Sequence, residues 1–151
     1  MNRVLILLCV VVCCSNVWAQ NNSDSGELAA NAGEQQKINW LDFETAQEMN
    51  KKEPKKFIVD VYTSWCGWCK RMDASTFHHP VIVDYINENY YAVKFNAESK
   101  KDISFKGTTY VNPNPDQRRA THQLAGIAAV NGRLSYPTIV YLDEELNLLS
   151  Q

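Results

Sequence analysis

The chain has 151 residues, 45% hydrophobic and 11% aromatic, with 15 Lys and Arg against 17 Asp and Glu and a formal net charge of −2. That length holds one domain with a core of ordinary size, and the small acidic excess argues against a surface made for nucleic acid or for an anionic membrane.

Read from the amino end, Met1-Asn2-Arg3 is a short positive start, Val4 to Cys14 an apolar stretch of 11 residues, and Val17-Trp18-Ala19 a small-residue cleavage site before Gln20. Residues 1–19 therefore read as a secretory signal peptide. The apolar stretch falls well short of the ~20 residues that cross a bilayer as a helix, so no stable membrane insertion is expected. The protein is expected to be exported, periplasmic if bacterial and otherwise secreted. Lipid anchoring at Cys13 or Cys14 is the weaker reading, because Val12 or Cys13 stands where that signal usually has a small residue. Cys9, Cys13 and Cys14 leave with the signal, so Cys66 and Cys69 alone remain of the five cysteines, and loss of Arg3 takes the charge to −3. Residues 20–36 are polar, carry no aromatic side chain and read as a flexible tether.

A domain over 37–151 follows. A short strand is expected near Lys37-Ile38-Asn39, then a helix from Asp42 to Lys52 with Phe43, Ala46 and Met49 on one face, closed by Glu53-Pro54. Phe57 to Thr63 is β-branched and aromatic, as a strand buried on both faces requires, and is interrupted only by Asp60. An ionised carboxylate buried there costs several kcal/mol unless paired, so Asp60 should hold a proton or find a cation. Ser64-Trp65-Cys66-Gly67-Trp68-Cys69-Lys70 comes next and opens a helix that runs on past Met72. Residues i and i+3 share a helix face, which brings the two sulfurs within bonding reach, and the helix start favours thiolate at Cys66. Such a thiolate attacks disulfides.

His78-His79 before Pro80 reads as a loop entering a helix over Val81 to Ile86, which leads into a strand, Tyr90 to Phe95, whose one cation is Lys94. Ala97 to Pro115 is too long and polar for an ordinary connection and reads as an inserted surface loop, with a small hairpin around Lys106-Gly107. Asn114-Pro115 resembles an N-cap followed by an N1 proline, so a helix is expected through Ala129 with Ala120, Leu124, Ile127 and Ala128 toward the sheet. Pro137 to Leu142 is a strand with proline first, turning near Asp143-Glu144-Glu145 into a last strand that stops at Gln151. The zinc reading of Cys66 and Cys69 with His78, His79 or His122 fails for want of finger spacing, so no metal is expected.

Four of these features in order resemble the thioredoxin superfamily over about residues 37–151. WCGWCK is similar to its WCxxCK active site, Asp60 stands at its buried aspartate, Lys94 at the lysine facing that aspartate, and Pro137 at its cis-proline. The resemblance implies an α/β thioredoxin fold, a central mixed sheet flanked by helices. It implies that Cys66 attacks, Cys69 resolves, Asp60 accepts or relays the proton of Cys69, and Lys94 lies against Asp60. Trp65, Gly67, Trp68, Tyr136 and Pro137 make the candidate substrate-binding set; the tryptophans either pack on the domain or dock a partner. The details look closest to exported thioredoxin-like proteins with a longer segment before the cis-proline, so the end of the insertion should approach the active site and shape partner choice. The covering C-terminal helix of that family is missing, so a fragment, or a second chain that supplies the cover, is expected.

The activity so implied is that of a thiol–disulfide oxidoreductase acting on protein disulfides or dithiols, as a reductant or isomerase, with an electron donor and no cofactor beyond the redox-active Cys66–Cys69 disulfide. Gly67-Trp68 departs from the Gly-Pro of thioredoxin, and that dipeptide tunes reduction potential, so the direction of electron flow stays open. The competing class is a noncatalytic module that binds a peptide, or Cu(I) between the thiolates.

Overall fold

The computed structural model describes residues 36–151; the signal segment and all of the tether except Gln36 lie outside them. Five strands form one mixed sheet in the order β1 (Trp40–Leu41), β3 (Tyr90–Asn96), β2 (Lys56–Tyr62), β6 (Thr138–Leu142), β7 (Leu148–Ser150). β1, β3 and β2 run parallel, while β6 is antiparallel to β2 and β7 to β6. Three helices intervene: α1 (Phe43–Lys52), α2 (Gly67–Ala74) and α3 (Pro80–Asn89). A separate hairpin, β4 (Ile103–Phe105) with β5 (Thr108–Tyr110), lies between β3 and β6 in the chain.

Local chemistry accounts for the boundaries. The Asp42 side chain caps α1 by accepting the Thr45 N–H at 2.8 Å, and Lys51 and Lys52 end it where a helix favours cations. Pro80 opens α3 at a position where its missing N–H is not needed. Lys106 and Gly107 both take positive φ, 51° and 74°, as a two-residue hairpin turn with the right twist demands.

The pleat divides the sheet into two unlike faces. Phe57, Val59 and Val61 of β2 point with Tyr91, Val93 and Phe95 of β3 into a wholly apolar core closed by α1, the β4–β5 hairpin and a 3-10 turn at Gln123–Ala128. Ile58 and Ala92 point the other way, against Phe77, Val83 and Ile86 beneath α2 and α3.

Three expectations are corrected. The first strand forms at Trp40–Leu41, not at residues 37–39, because Asn87 of α3 takes both the Lys37 carbonyl and the Asn39 N–H, at 2.9 Å each. Met49 is exposed, so the buried face of α1 is Phe43 and Ala46 alone. The helix from Asn114 through Ala129 is absent; turns run to Thr121, and the 3-10 turn covers only its end. Partners outside a helical ladder take the backbone there: Asn112 Nδ2 donates to the Ala120 carbonyl at 3.2 Å, the backbone N–H of His122 donates to the Ala97 carbonyl at 2.8 Å, and Arg119 has φ 62°. Leu124 and Ala128 are nonetheless buried, as that amphipathic pattern requires, while Ala120 and Ile127 are half-buried.

Phe43 meets Phe95 and Phe105 edge to face at centroid distances of 5.5 and 5.3 Å, and so joins α1 to the sheet and to the hairpin. Phe43→Ala should cost about 3–5 kcal/mol of unfolding free energy, measured by chemical denaturation.

Candidate active site

The end of β2 delivers the chemistry. After Tyr62 the chain turns tightly, the Cys66 N–H donating to the Thr63 carbonyl at 3.2 Å, and α2 starts at once with Cys66 as its N-cap. The Cys66 sulfur accepts the N–H of Cys69 at 3.1 Å, so it occupies the site of the unpaired donors that favour negative charge. Cys66 and Cys69, with Cα atoms 5.4 Å apart, are joined as a disulfide, and both are buried. Gly67 opens α2, and a Cβ on it would meet nothing within 4 Å.

Beneath α2 lies the charge that the strand composition anticipates. Asp60 of β2 is 1% exposed and stands in register with Lys94 of β3. Lys94 Nζ donates to Asp60 Oδ2 at 2.5 Å and also to Asp73 Oδ1 on α2. Three rings surround the same ammonium, Trp40 at 4.8 Å, Tyr62 at 5.1 Å and Phe77 at 5.7 Å to their centroids. Burial pushes the Asp60 carboxyl above its ordinary range, overcoming the pull of Lys94, and the like charge of Asp73 adds to the rise. Burial works against the Lys94 ammonium too, but its hydrogen bonds to Asp60 and Asp73 outweigh that and raise it. Asp60 Oδ1 and Thr63 Oγ1 are buried without a hydrogen-bond partner among the described residues. Buried polar atoms left unmet in this way are costly.

The rim is aromatic and basic. Trp65 packs edge to face on Tyr136 at 6.0 Å and donates its indole N–H to Glu98 Oε1 at 2.8 Å. Burial, then the Glu98 charge, raises the Tyr136 phenol. The Tyr136–Pro137 bond is cis, and the next residue, Thr138, pairs with Val61 near the end of β2. Trp68 stands apart from this cluster, 67% exposed. His79 makes no side-chain cap to α3, and His122 is fully buried, its Nδ1 accepting the Leu124 N–H at 3.2 Å while Nε2 donates to the Lys101 carbonyl at 3.1 Å. No group of three metal-ligating side chains occurs among the described residues.

Sequence reasoning missed Asp73, Glu98 and Arg119. Asp73 had a usable signal, since four residues after Cys69 places it one turn on along the same face. Glu98 and Arg119 reach Trp65 from a segment with no periodicity to read.

Because Asp60 keeps its proton above 3.8, where the unfolded chain has released it, the folded state binds the extra proton and stability falls as pH rises from 3.8 through the folded value. Asp60→Asn should remove that slope, and Asp73→Asn, by deleting a like charge, should move it to lower pH; denaturation at a series of pH values reads both.

Comparison with known proteins agrees with this geometry. The family model for a DsbH-type thioredoxin, described as a protein of unknown function, DUF255, matches residues 20–119. Spermatogenesis-associated protein 20 of Rattus norvegicus is 29% identical over 75 residues, 49% of this chain and 10% of that protein, as is its Mus musculus counterpart. The chain thus spans about a tenth of the length of these curated relatives. Among solved structures, a DsbH oxidoreductase aligns with TM-score 0.52 and 17% identity over 87% of this chain and 80% of that one. The solution structure of a proposed disulphide-isomerase from Bacteroides thetaiotaomicron aligns with TM-score 0.51 and 22% identity over 77% of this chain and 79% of that one. The fold is that of thioredoxin, and the chain belongs to the DsbH-type thioredoxin family, DUF255.

Proposed function

We propose that the protein is an exported thiol–disulfide oxidoreductase that exchanges disulfides with protein partners through Cys66 and Cys69. The observation that carries this reading is a disulfide set at the start of a helix that is tied through Asp73 and Lys94 to a buried carboxyl, whose hold on its proton burial strengthens. Export rests on the signal-like segment 1–19. Among the described residues no helix is long and apolar enough to cross a membrane.

In the reduced protein the Cys66 thiolate, stabilised by the Cys69 N–H and the other free donors of α2, attacks one sulfur of a partner disulfide. That S–S bond breaks, a mixed disulfide forms, and the other partner sulfur leaves as a thiolate that takes a proton. Asp60 then accepts the proton of Cys69, whose thiolate attacks the Cys66 sulfur. The mixed disulfide breaks, the second partner thiol departs, and the Cys66–Cys69 bond is restored. Two electrons have passed to the partner, and a donor dithiol returns them by the same steps reversed; no cofactor enters. Lys94 keeps the Asp60 charge from becoming prohibitive while the carboxyl is ionised. Tyr136 and Pro137, with Trp65, Gly67 and Trp68, frame the approach to Cys66 and take the role of holding the partner chain.

The test is reduction of insulin disulfides with dithiothreitol as donor. Catalysis by the wild-type chain is expected. Cys66→Ser should abolish it, Cys69→Ser should accumulate the mixed disulfide, and Asp60→Asn should slow its resolution at neutral pH while leaving its formation near the wild-type rate. Stoichiometric binding of insulin without turnover overturns the reading in favour of a noncatalytic module.

A further inference from the structure

Two exposed tryptophans flank Cys66 and Gly67 in the chain, Trp65 at 49% and Trp68 at 67% exposure, and each has a guanidinium over its ring. Arg119 stands 4.6 Å from the Trp65 ring centroid and Arg71 stands 5.4 Å from that of Trp68. A guanidinium engaged through a ring face keeps N–H donors for a carboxylate.

Their placement is built. Arg119 is in the left-handed region, φ 62°, which residues with a side chain rarely adopt. The loop that carries it is tied at three points: Lys100 pairs with Asp116 at 2.7 Å, Asn112 holds the Ala120 carbonyl at 3.2 Å, and His122 is buried behind it. Arg71 is set by α2 itself, two residues past Cys69. Lys70 and Arg118 stand beside these two in the chain, and among the described residues none of the four makes an ion pair. Of the acids near them, Asp73 pairs with Lys94 and Asp116 with Lys100, while Glu98 keeps its charge and is oriented by the Trp65 indole N–H it accepts. In a chain of net charge −2, Arg71 and Arg119 thus stand without ion pairs, among the described residues, over the two tryptophans next to Cys66 and Cys69 in the chain.

We infer that the Trp65–Arg119 and Trp68–Arg71 pairs form a docking surface that selects protein partners with Asp or Glu close to the cysteine to be exchanged. The carboxylates bind the outward guanidinium edges, and neighbouring apolar side chains of the partner lie on the exposed parts of the rings. A nucleic-acid strand is the poorer fit to two stacked pairs on an acidic protein. This inference deepens the exchange reading and rests on it for the reacting atoms, although the binding itself is measurable without exchange.

The experiment is calorimetric titration of the oxidised protein with two short peptides that have serine in place of cysteine and differ only in acidic or basic flanks. The acidic peptide should bind about tenfold more tightly, the difference two exposed ion pairs can supply, and high salt should erase the gap. R71A/R119A should lose the preference and R71E/R119E should reverse it, both with unchanged circular dichroism. Equal affinities, a preference that survives R71A/R119A, or tighter binding of an oligothymidylate overturns the inference. A separate assay with hydroxyethyl disulfide, which is small and uncharged, reads the exchange chemistry alone. Failure there overturns the oxidoreductase reading, and the peptide titration still decides the docking surface.

Discussion

Lys94 brings its ammonium to a point where two carboxylates and three aromatic rings converge, and the seating of α2 over the sheet depends on that contact. One carboxylate belongs to the central strand and the other to the helix that carries Cys69, so a single cation spans the layers. Taking away one partner of a buried pair leaves an uncompensated charge at a cost of about 3–5 kcal/mol, far more than an exposed pair returns. The ammonium does more than compensate. It stabilises the Asp60 carboxylate while burial opposes it, and the opposition wins, which raises the carboxyl above its ordinary range.

The pleat makes this charge tolerable. Successive residues of β2 face opposite sides, so Phe57, Val59 and Val61 build one core that contains no carboxylate or ammonium, while Asp60 faces α2. β3 obeys the same parity, with Val93 and Phe95 on the apolar side and Lys94 opposite Asp60. A slip of one residue would drive Asp60 into the apolar core and Lys94 out of reach, so the register that builds the core also assembles the acid–base pair.

That coupling explains what the amino-acid sequence disclosed. Asp60 was legible as a buried acid because it interrupts an apolar run, and Cys66 and Cys69 because their spacing fits the first turn of a helix that follows such a run. Local periodicity located α1, β2, α3 and β3. It failed between Pro113 and Ala129, where an N-cap signal and an amphipathic pattern argue for a helix, yet Asn112 and His122 tie the backbone to distant carbonyls. It failed again at residues 37–39, where Asn87, fifty positions away in the chain, takes the backbone groups a strand would need. In both failures the backbone is satisfied by a partner outside the expected element, a side chain or a distant carbonyl, which no local pattern reports. The stacking of Arg119 on Trp65 is of the same kind, since it exists only because that loop is pinned.

The base of the site and its rim also hang from one short stretch of chain. At the end of β3, Lys94 turns toward α2, Phe95 turns the other way and packs edge to face on the His122 ring at 5.6 Å, and the Ala97 carbonyl accepts the His122 N–H at 2.8 Å. The loop that bears Arg119 is therefore anchored within three residues of the lysine that holds Asp60. Because β3 is buried and paired on both sides, by β1 and by β2, neither anchor can shift without breaking strand hydrogen bonds. The rim is thus braced against the same strand that holds Lys94 on Asp60.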